Sequence, residues 1–436
     1  MLYEGLQRIF RVSKTICRRE WWRCVNATMK VVIVVMTMVM MVSLTYYAPL
    51  HTSRLLKRAL HPPPNTTWPP SQSTPGGCTP RHNVMFLKTH KCASSTTQRI
   101  FLRYGKTHGL TQVLPLTGNY LGSPLPFKAG MIPRALMTPD HKYNMMVVHT
   151  RLDVDALHKV MKDNAAWVTI VREPVAQFES VWSFFNLEEH YKMPIAEFAT
   201  QPYSAVVRDR RQKVFGIHQM FFDLGYSSIE DYEPGELMQK IKRLNDVFDL
   251  VMIAERYDES LILLKNLMCW TTEDIAYLKI NDRKRWGRIQ LFEETKERLR
   301  HLNHPDVKLY KFFYNIFDQK VKMFGEERMQ RELNELFIAN ERLKLSCLVS
   351  ELDPLKASHE MDWVASVNKQ VVRKDNQTCV DLAKTEHSML NEVRNKQKTW
   401  VEGNWKQNLT QIMMKEDPPK QNEDLQKKLF KVLKAN

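Results

Sequence analysis

Residues Val84-Met-Phe-Leu87 run directly into Lys88-Thr-His-Lys91-Cys-Ala-Ser-Ser-Thr-Thr97. Four apolar residues rich in strand formers give way to two lysines, a histidine and a cluster of hydroxyls, and a helical pattern follows over about Ser95–Lys106. A strand, a polar turn and a helix N-terminus make an anion site, because unpaired backbone N–H groups and the positive end of the helix dipole point into the turn. The spacing G-x-x-x-x-G-K-[ST] is absent, and no glycine lies between Lys88 and Thr97, so the turn is not a Walker A loop. Lysines beside small hydroxyl residues suit phosphate or sulfate.

The pattern after this unit fixes the fold class. Strand-like runs at Met145–His149, Trp167–Val171 and Leu250–Ala254 alternate with helical runs over Val154–Lys162, Val175–Asn186 and Glu236–Val247. Such alternation predicts an α/β fold with a parallel sheet covered on both faces. Beyond Ala254 the chain reads as mostly helical, with amphipathic segments at Asp258–Cys269, Glu293–His301, Asp306–Phe324 and Glu326–Leu345. In open parallel sheets ligands bind beyond the carboxyl ends of the strands. Two further polar groups fall there: Arg172-Glu-Pro174 with Ser180 after the third strand, and His149-Thr-Arg151 after the second. The arginine fork and the serine hydroxyl suit a phosphate. With the first turn they suggest a nucleotide carrying anionic groups at both ends. His149 and His90 are candidate bases.

Lys and Arg number 64 against 48 Asp and Glu, a net charge of +16 spread along the chain. No nucleic-acid-binding motif accompanies that charge, so the anionic partner is expected to be a nucleotide or a membrane surface. Residues 1–30 read as a basic cytoplasmic tail. Residues 31–50, with the run Val31–Leu44 followed by Tyr46 and Tyr47, read as a short signal-anchor, since a bilayer needs roughly twenty apolar residues. Residues 51–80 read as a Pro/Ser/Thr-rich luminal stem, 81–403 as the catalytic domain and 404–436 as a polar, solvated tail. Asn65, Asn376 and Asn408 are glycosylation acceptors on that topology. Cys78, Cys92, Cys269, Cys347 and Cys379 follow the apolar run, in spacings that suit disulfides rather than zinc. Spacing alone leaves their connectivity open. No clustered metal ligands appear near the site, so no metal is expected.

With these sites in place, the chain resembles the galactose-3-O-sulfotransferases, and within them the galactosylceramide sulfotransferase branch. The stretches that carry the resemblance are Asn83–Thr96, Val168–Ser180, Phe221-Phe-Asp-Leu-Gly-Tyr226, Tyr257–Lys265 with Cys269-Trp270, and Ala339-Asn-Glu-Arg342. The resemblance implies a P-loop-like sulfotransferase fold behind an N-terminal transmembrane helix. It implies a type II Golgi membrane protein, 3′-phosphoadenosine 5′-phosphosulfate as sulfuryl donor, and a galactose-terminated glycolipid or glycan as acceptor. It assigns the donor's 5′-phosphosulfate to Lys88, Thr89, Lys91, Cys92, Ala93, Ser94, Ser95 and Thr96, and the 3′-phosphate to Arg172 and Ser180. Lys91 falls near the bridging oxygen, and His90 and His149 near the acceptor, with His149 the preferred base. It also pairs Cys78 with Cys269 and Cys347 with Cys379, leaving Cys92 free. Cys92 stands where related loops carry threonine, so the loop is expected to be sensitive to thiol reagents. Oligomeric state is left open, with a homodimer among the partners considered.

Overall fold

The structure, a computed structural model, describes residues 78–226, 234–278, 289–352, 369–373 and 375–415. The cytoplasmic tail, the anchor, the stem up to residue 77 and the sequon at Asn65 lie outside these residues. Among the described residues no helix is long and apolar enough to cross a membrane.

Five strands, β1 (Val84–Leu87), β2 (Gln112–Val113), β3 (Met145–Met146), β4 (Ala166–Val171) and β5 (Leu250–Ile253), form a parallel sheet in the order β2-β3-β1-β4-β5. Every residue of β1, β4 and β5 is buried, so both faces of the sheet are covered, as a parallel sheet requires. Between the strands run α1 (Ser94–Thr107), α2 (Val154–Val160), α3 (Pro174–Phe184), the short α4 (Gln219–Asp223) and α5 (Pro234–Val247). After β5 come α6 (Tyr257–Met268), α7 (Glu293–Leu302), α8 (His304–Phe324), α9 (Glu326–Cys347), α10 (Gln377–Ala383) and α11 (Glu386–Lys415). Proline opens α3 at its first turn, where its missing N–H costs nothing, and Glu173 caps it by accepting from Ala176 N at 2.8 Å.

Most elements read from the sequence are present within a residue or two. Four differences stand out. The strand expected over Met145–His149 is a ladder only at Met145–Met146. Beyond it the chain stays extended and bridges the irregular segment at Tyr120 and Pro126. The two-residue edge strand β2 carries too little pattern to be read. Strands β6 (Leu348–Leu352) and β7 (Lys369–Val372) pair antiparallel within the C-terminal part read as helical. Helix α11 also continues through residue 404, where the solvated tail was expected to begin, and carries Asn408. Asn376 caps α10 through its side-chain oxygen, which accepts from Thr378 N and Cys379 N.

The cysteine pairing follows the resemblance: Cys78–Cys269 and Cys347–Cys379 are disulfides, and Cys92 is a buried free thiol. The first ties the entry of β1 to the end of α6, 191 residues later. Helix α11 covers the edge of the sheet. Gln397 accepts from Gln112 N at 2.7 Å and donates to Gln112 O at 2.8 Å, so a side-chain amide meets the outward backbone of edge strand β2.

Candidate active site

Strand β1 lies at the centre of the sheet, with β3 on one side and β4 on the other. The chain passes first to one side of β1 and then to the other, which opens a crevice at the carboxyl ends of these strands. The three polar groups read from the sequence meet in that crevice.

The turn after β1 is shaped by two non-glycine residues in the left-handed region, Lys91 (φ 58°) and Ala93 (φ 60°). Each costs on the order of 1–2 kcal/mol relative to ordinary backbone, and such strain gathers at ligand sites. Helix α1 starts at Ser94, and its first intrahelical bond runs from Thr97 N to Ala93 O. The amides of Ser94, Ser95 and Thr96 thus lack intrahelical acceptors and face the turn. Several hydroxyls expected to face an anion instead hold the turn's shape. Thr89 donates to Ile170 O and Ser94 to Thr89 O, both at 2.5 Å. The Lys88 ammonium, 2% exposed, lies 3.1 Å from Ser95 Oγ and 3.3 Å from the Glu386 carboxylate.

The group after β4 closes on the same turn. Arg172 Nη1 donates to Lys91 O at 3.0 Å, and Gln177 Nε2 of α3 donates to His90 O at 2.9 Å. Ser180 is buried one turn further along α3. The Lys91 ammonium sits 3.6 Å above the Phe184 ring, which is itself half-exposed. Two cationic side chains, Lys91 and Arg172, therefore converge on one strained turn.

His90 and His149 stack with ring centroids 4.1 Å apart and 11° between planes. His90 Nδ1 is 2.9 Å from both oxygens of Asp223, and the His90 backbone N–H donates to the same carboxylate at 2.7 Å. A carboxylate only accepts, so Nδ1 carries a proton; in the neutral ring Nε2 then presents its lone pair, 3.2 Å from the Tyr120 hydroxyl. His149 Nδ1 donates to Lys88 O at 3.0 Å. Burial lowers the pKa of His149 well below the usual histidine value, and the neighbouring His90, Lys88 and Lys91 push the same way. Phe185 and Phe215 stack on each other and meet His90 edge-on, which completes an aromatic wall.

Asp223 sits at the end of α4 and is held by Gln219 Nε2 at 3.0 Å. Asp306, on α8, caps α4 by accepting from Met220 N and Phe221 N at 3.1 and 2.8 Å. Just past α4, Gly225 has φ +91°, and a Cβ there would lie 2.3 Å from Leu152 O, so only glycine lets this segment return past β3. Burial raises the Asp306 carboxyl from 3.8 to about 7 against the pull of these two amides. Its folded pKa exceeds its unfolded one, so its stabilising effect is complete below pH ~4 and is lost as pH rises through 7. Asp306→Asn is expected to remove a fall of about 1.4 kcal/mol per pH unit between those limits. Urea unfolding from pH 4.5 to 7.5 checks this, and equal slopes in both proteins would refute it.

Cys92 is corrected by its surroundings. It is fully buried, with Sγ 3.3 Å from His90 O, and burial pushes its thiol well above the ordinary value. A buried thiol held protonated is a poor nucleophile, so thiol sensitivity of this loop is not expected. Asp223, Tyr120, Gln177 and Glu386 are site residues that the sequence left without roles. Asp223 lies inside a stretch that carries the resemblance, but its contact with His90 spans 133 residues. No metal-binding cluster occurs among the described residues.

The profile of the galactose-3-O-sulfotransferase family matches residues 4–374. The galactosylceramide sulfotransferase of Bos taurus is 34% identical over 285 residues, covering 63% of this chain and 66% of that protein. The corresponding protein of Homo sapiens is 34% identical over 279 residues, covering 63% of this chain and 66% of its own length. Galactose-3-O-sulfotransferase 3 of Mus musculus is 33% identical over 278 residues, covering 62% and 64%. The chain thus spans just under two thirds of these relatives. A sulfotransferase from Alicyclobacillus acidocaldarius overlaps 54% of this chain and 96% of its own at 12% identity and a TM-score of 0.28, a likeness too slight to carry an argument. Matched from residue 4 to residue 374, the chain belongs to the galactose-3-O-sulfotransferase family.

Proposed function

We propose that this protein transfers a sulfuryl group from 3′-phosphoadenosine 5′-phosphosulfate to the 3-hydroxyl of a terminal β-galactose, with His90 as the base. The observation that carries the reading is the Asp223–His90 pair beside the strained, cationic turn of a chain in this family. The donor supplies an activated sulfuryl group on a phosphate leaving group. The left-handed residues Lys91 and Ala93, the α1 N-terminus and the converging Lys91 and Arg172 suit its anionic groups. Arg172 would take the 3′-phosphate with Ser180, and the loop amides the 5′ end.

The transfer is expected to resemble phosphoryl transfer, in which positioning and fixed positive charge do most of the work. Lys91 would stabilise charge on the leaving oxygen. His90 Nε2 would accept the galactose hydroxyl proton, because Asp223 fixes the tautomer and stabilises the imidazolium that forms. The sequence alone leans to His149. His149 is held neutral by burial, its Nδ1–H is committed to Lys88 O, and among the described residues no carboxylate backs it. We assign it to orienting the acceptor and the His90 ring. The Golgi membrane, with a single type II span at 31–50 and this domain in the lumen, is the location we propose, supported by the basic leader, the apolar run and the sequons.

The full chain, incubated with labelled donor and with galactosylceramide, lactosylceramide or N-acetyllactosamine, is expected to place sulfate on C3 of the galactose. Donor binding without transfer to any of the three would favour an inactive glycan-binding protein. Transfer only to glycans lacking galactose would favour a sulfotransferase for another sugar unit.

A further inference from the structure

The C-terminal helix α11 begins with Glu386, beyond residue 374 where the family match ends. Its carboxylate nevertheless reaches the heart of the site. Oε2 is 3.3 Å from Lys88 Nζ and accepts from Asn119 Nδ2 at 2.9 Å. Lys88 in turn contacts Ser95 Oγ, and its carbonyl accepts from His149 Nδ1. Asn119 O accepts from the His149 backbone N–H at 2.9 Å. The next residue, Tyr120, stacks on His149 at 4.8 Å and meets His90 Nε2 through its hydroxyl. One carboxylate thus joins the turn after β1, the start of α1 and the 119–120 segment, and the turn and the 119–120 segment each touch the histidines.

We propose that Glu386 is a positioning residue of the active site, so that the segment outside the family match sets the placement of His149, Tyr120 and, through Tyr120, His90. Its catalytic arm rests on the function proposed above. A carboxylate beside an anion-binding turn is otherwise unfavourable, and its chemistry here is specific. Lys88 is buried, and desolvation lowers its pKa although Glu386 opposes the shift. Burial likewise opposes ionisation of Glu386, and the Lys88 charge and the Ser95 and Lys88 hydrogen bonds outweigh it, so its pKa lies below the ordinary value. Glu386 is therefore held as a carboxylate against the buried Lys88 amine, and breaking the contact leaves a buried polar group without its partner. With its amine committed to Glu386 and Ser95, Lys88 acts as a strut of the turn rather than as a contact for the donor. Glu386 also opens its helix, where the helix dipole favours a negative charge. Farther along, Arg394 fastens α11 to the same segment by donating to Pro115 O and Gly118 O at 2.8 Å.

Glu386→Gln in the full chain tests this, with Lys106→Gln as its comparison. Lys106 pairs with Asp381 and Glu392 at 2.8 and 2.7 Å, away from the histidines, so its loss weakens the C-terminal contacts alone. Two readouts are needed. The first is carbethoxylation of His90 and His149 in the donor-free chain, mapped by mass spectrometry. It is expected to rise about 5-fold or more in Glu386→Gln, as the 119–120 segment opens locally, and to stay at the wild-type rate in Lys106→Gln. The second is galactose sulfation, whose kcat is expected to fall about 10–100-fold in Glu386→Gln with donor KM within about threefold, because misplacing reacting groups costs turnover rather than binding. Unchanged histidine protection in Glu386→Gln would overturn the proposal. So would equal effects in the two variants at equal loss of melting temperature. If the wild-type chain sulfates no galactose acceptor, the proposed function falls, and the protection readout by itself still decides for or against Glu386.

Discussion

Replacing His90 with alanine is expected to lower kcat for galactose sulfation by about 10²–10⁴-fold, the range that positioned proton transfer contributes. Binding of adenosine 3′,5′-bisphosphate, measured by calorimetry, should stay within about threefold, because the residues assigned to the nucleotide are untouched and uniform binding is separable from turnover. Asp223→Asn should lose much of the same activity. An asparagine amide can donate to Nδ1, which favours the tautomer with the proton on Nε2 and takes away the lone pair the reaction needs. His149→Ala should cost less than either, since burial keeps that ring neutral and its Nδ1–H is committed to Lys88 O. The reverse order, with His149→Ala inactive and His90→Ala near normal, would transfer the base role to His149 and remove the assignment made here.

Lys91 is expected to give the second large effect, and its backbone allows side chain and conformation to be tested apart. Its φ of 58° is one that glycine adopts without cost, so Lys91→Gly should keep or raise the melting temperature. Lys91→Met removes the ammonium that sits over Phe184 but keeps an unbranched side chain, without relieving the backbone. Both should lose about 10²–10³-fold in kcat, as when one preorganised donor is removed from developing charge. Stopped-flow single-turnover rates with saturating donor would show it. If Lys91→Met retains turnover, the ammonium is not the group that stabilises the leaving oxygen, and Arg172 becomes the next candidate at that turn.

The elements of this fold were legible because their signals are local. The run Val84–Leu87, the helical pattern after it and Pro174 at the start of α3 need only neighbours in sequence to declare themselves. The structure moves their ends by one or two residues. Strand β2 was not legible, since two residues with one glutamine carry no period. The disulfides came from likeness to a family rather than from spacing, and the structure closes the same two pairs. Cys92 shows the opposite failure. Its chemistry as a thiol is plain in the sequence, and its inertness depends on the complete burial that only packing supplies.

The sequence alone determined that a strand, a basic hydroxyl-rich turn and a helix follow one another, and that arginine and histidine lie at the ends of further strands. Periodicity at that level is set by side-chain shape over a few residues. Only the tertiary structure decided which histidine has a carboxylate behind it, that Lys88 is tied to Glu386, and that Tyr120 and Gln177 belong to the site. Those partners stand 30 to 298 positions from the groups they touch. They meet because buried polar atoms must find partners once the sheet and α11 close over the turn, and that choice is made by chain reversal and packing, which no local pattern encodes.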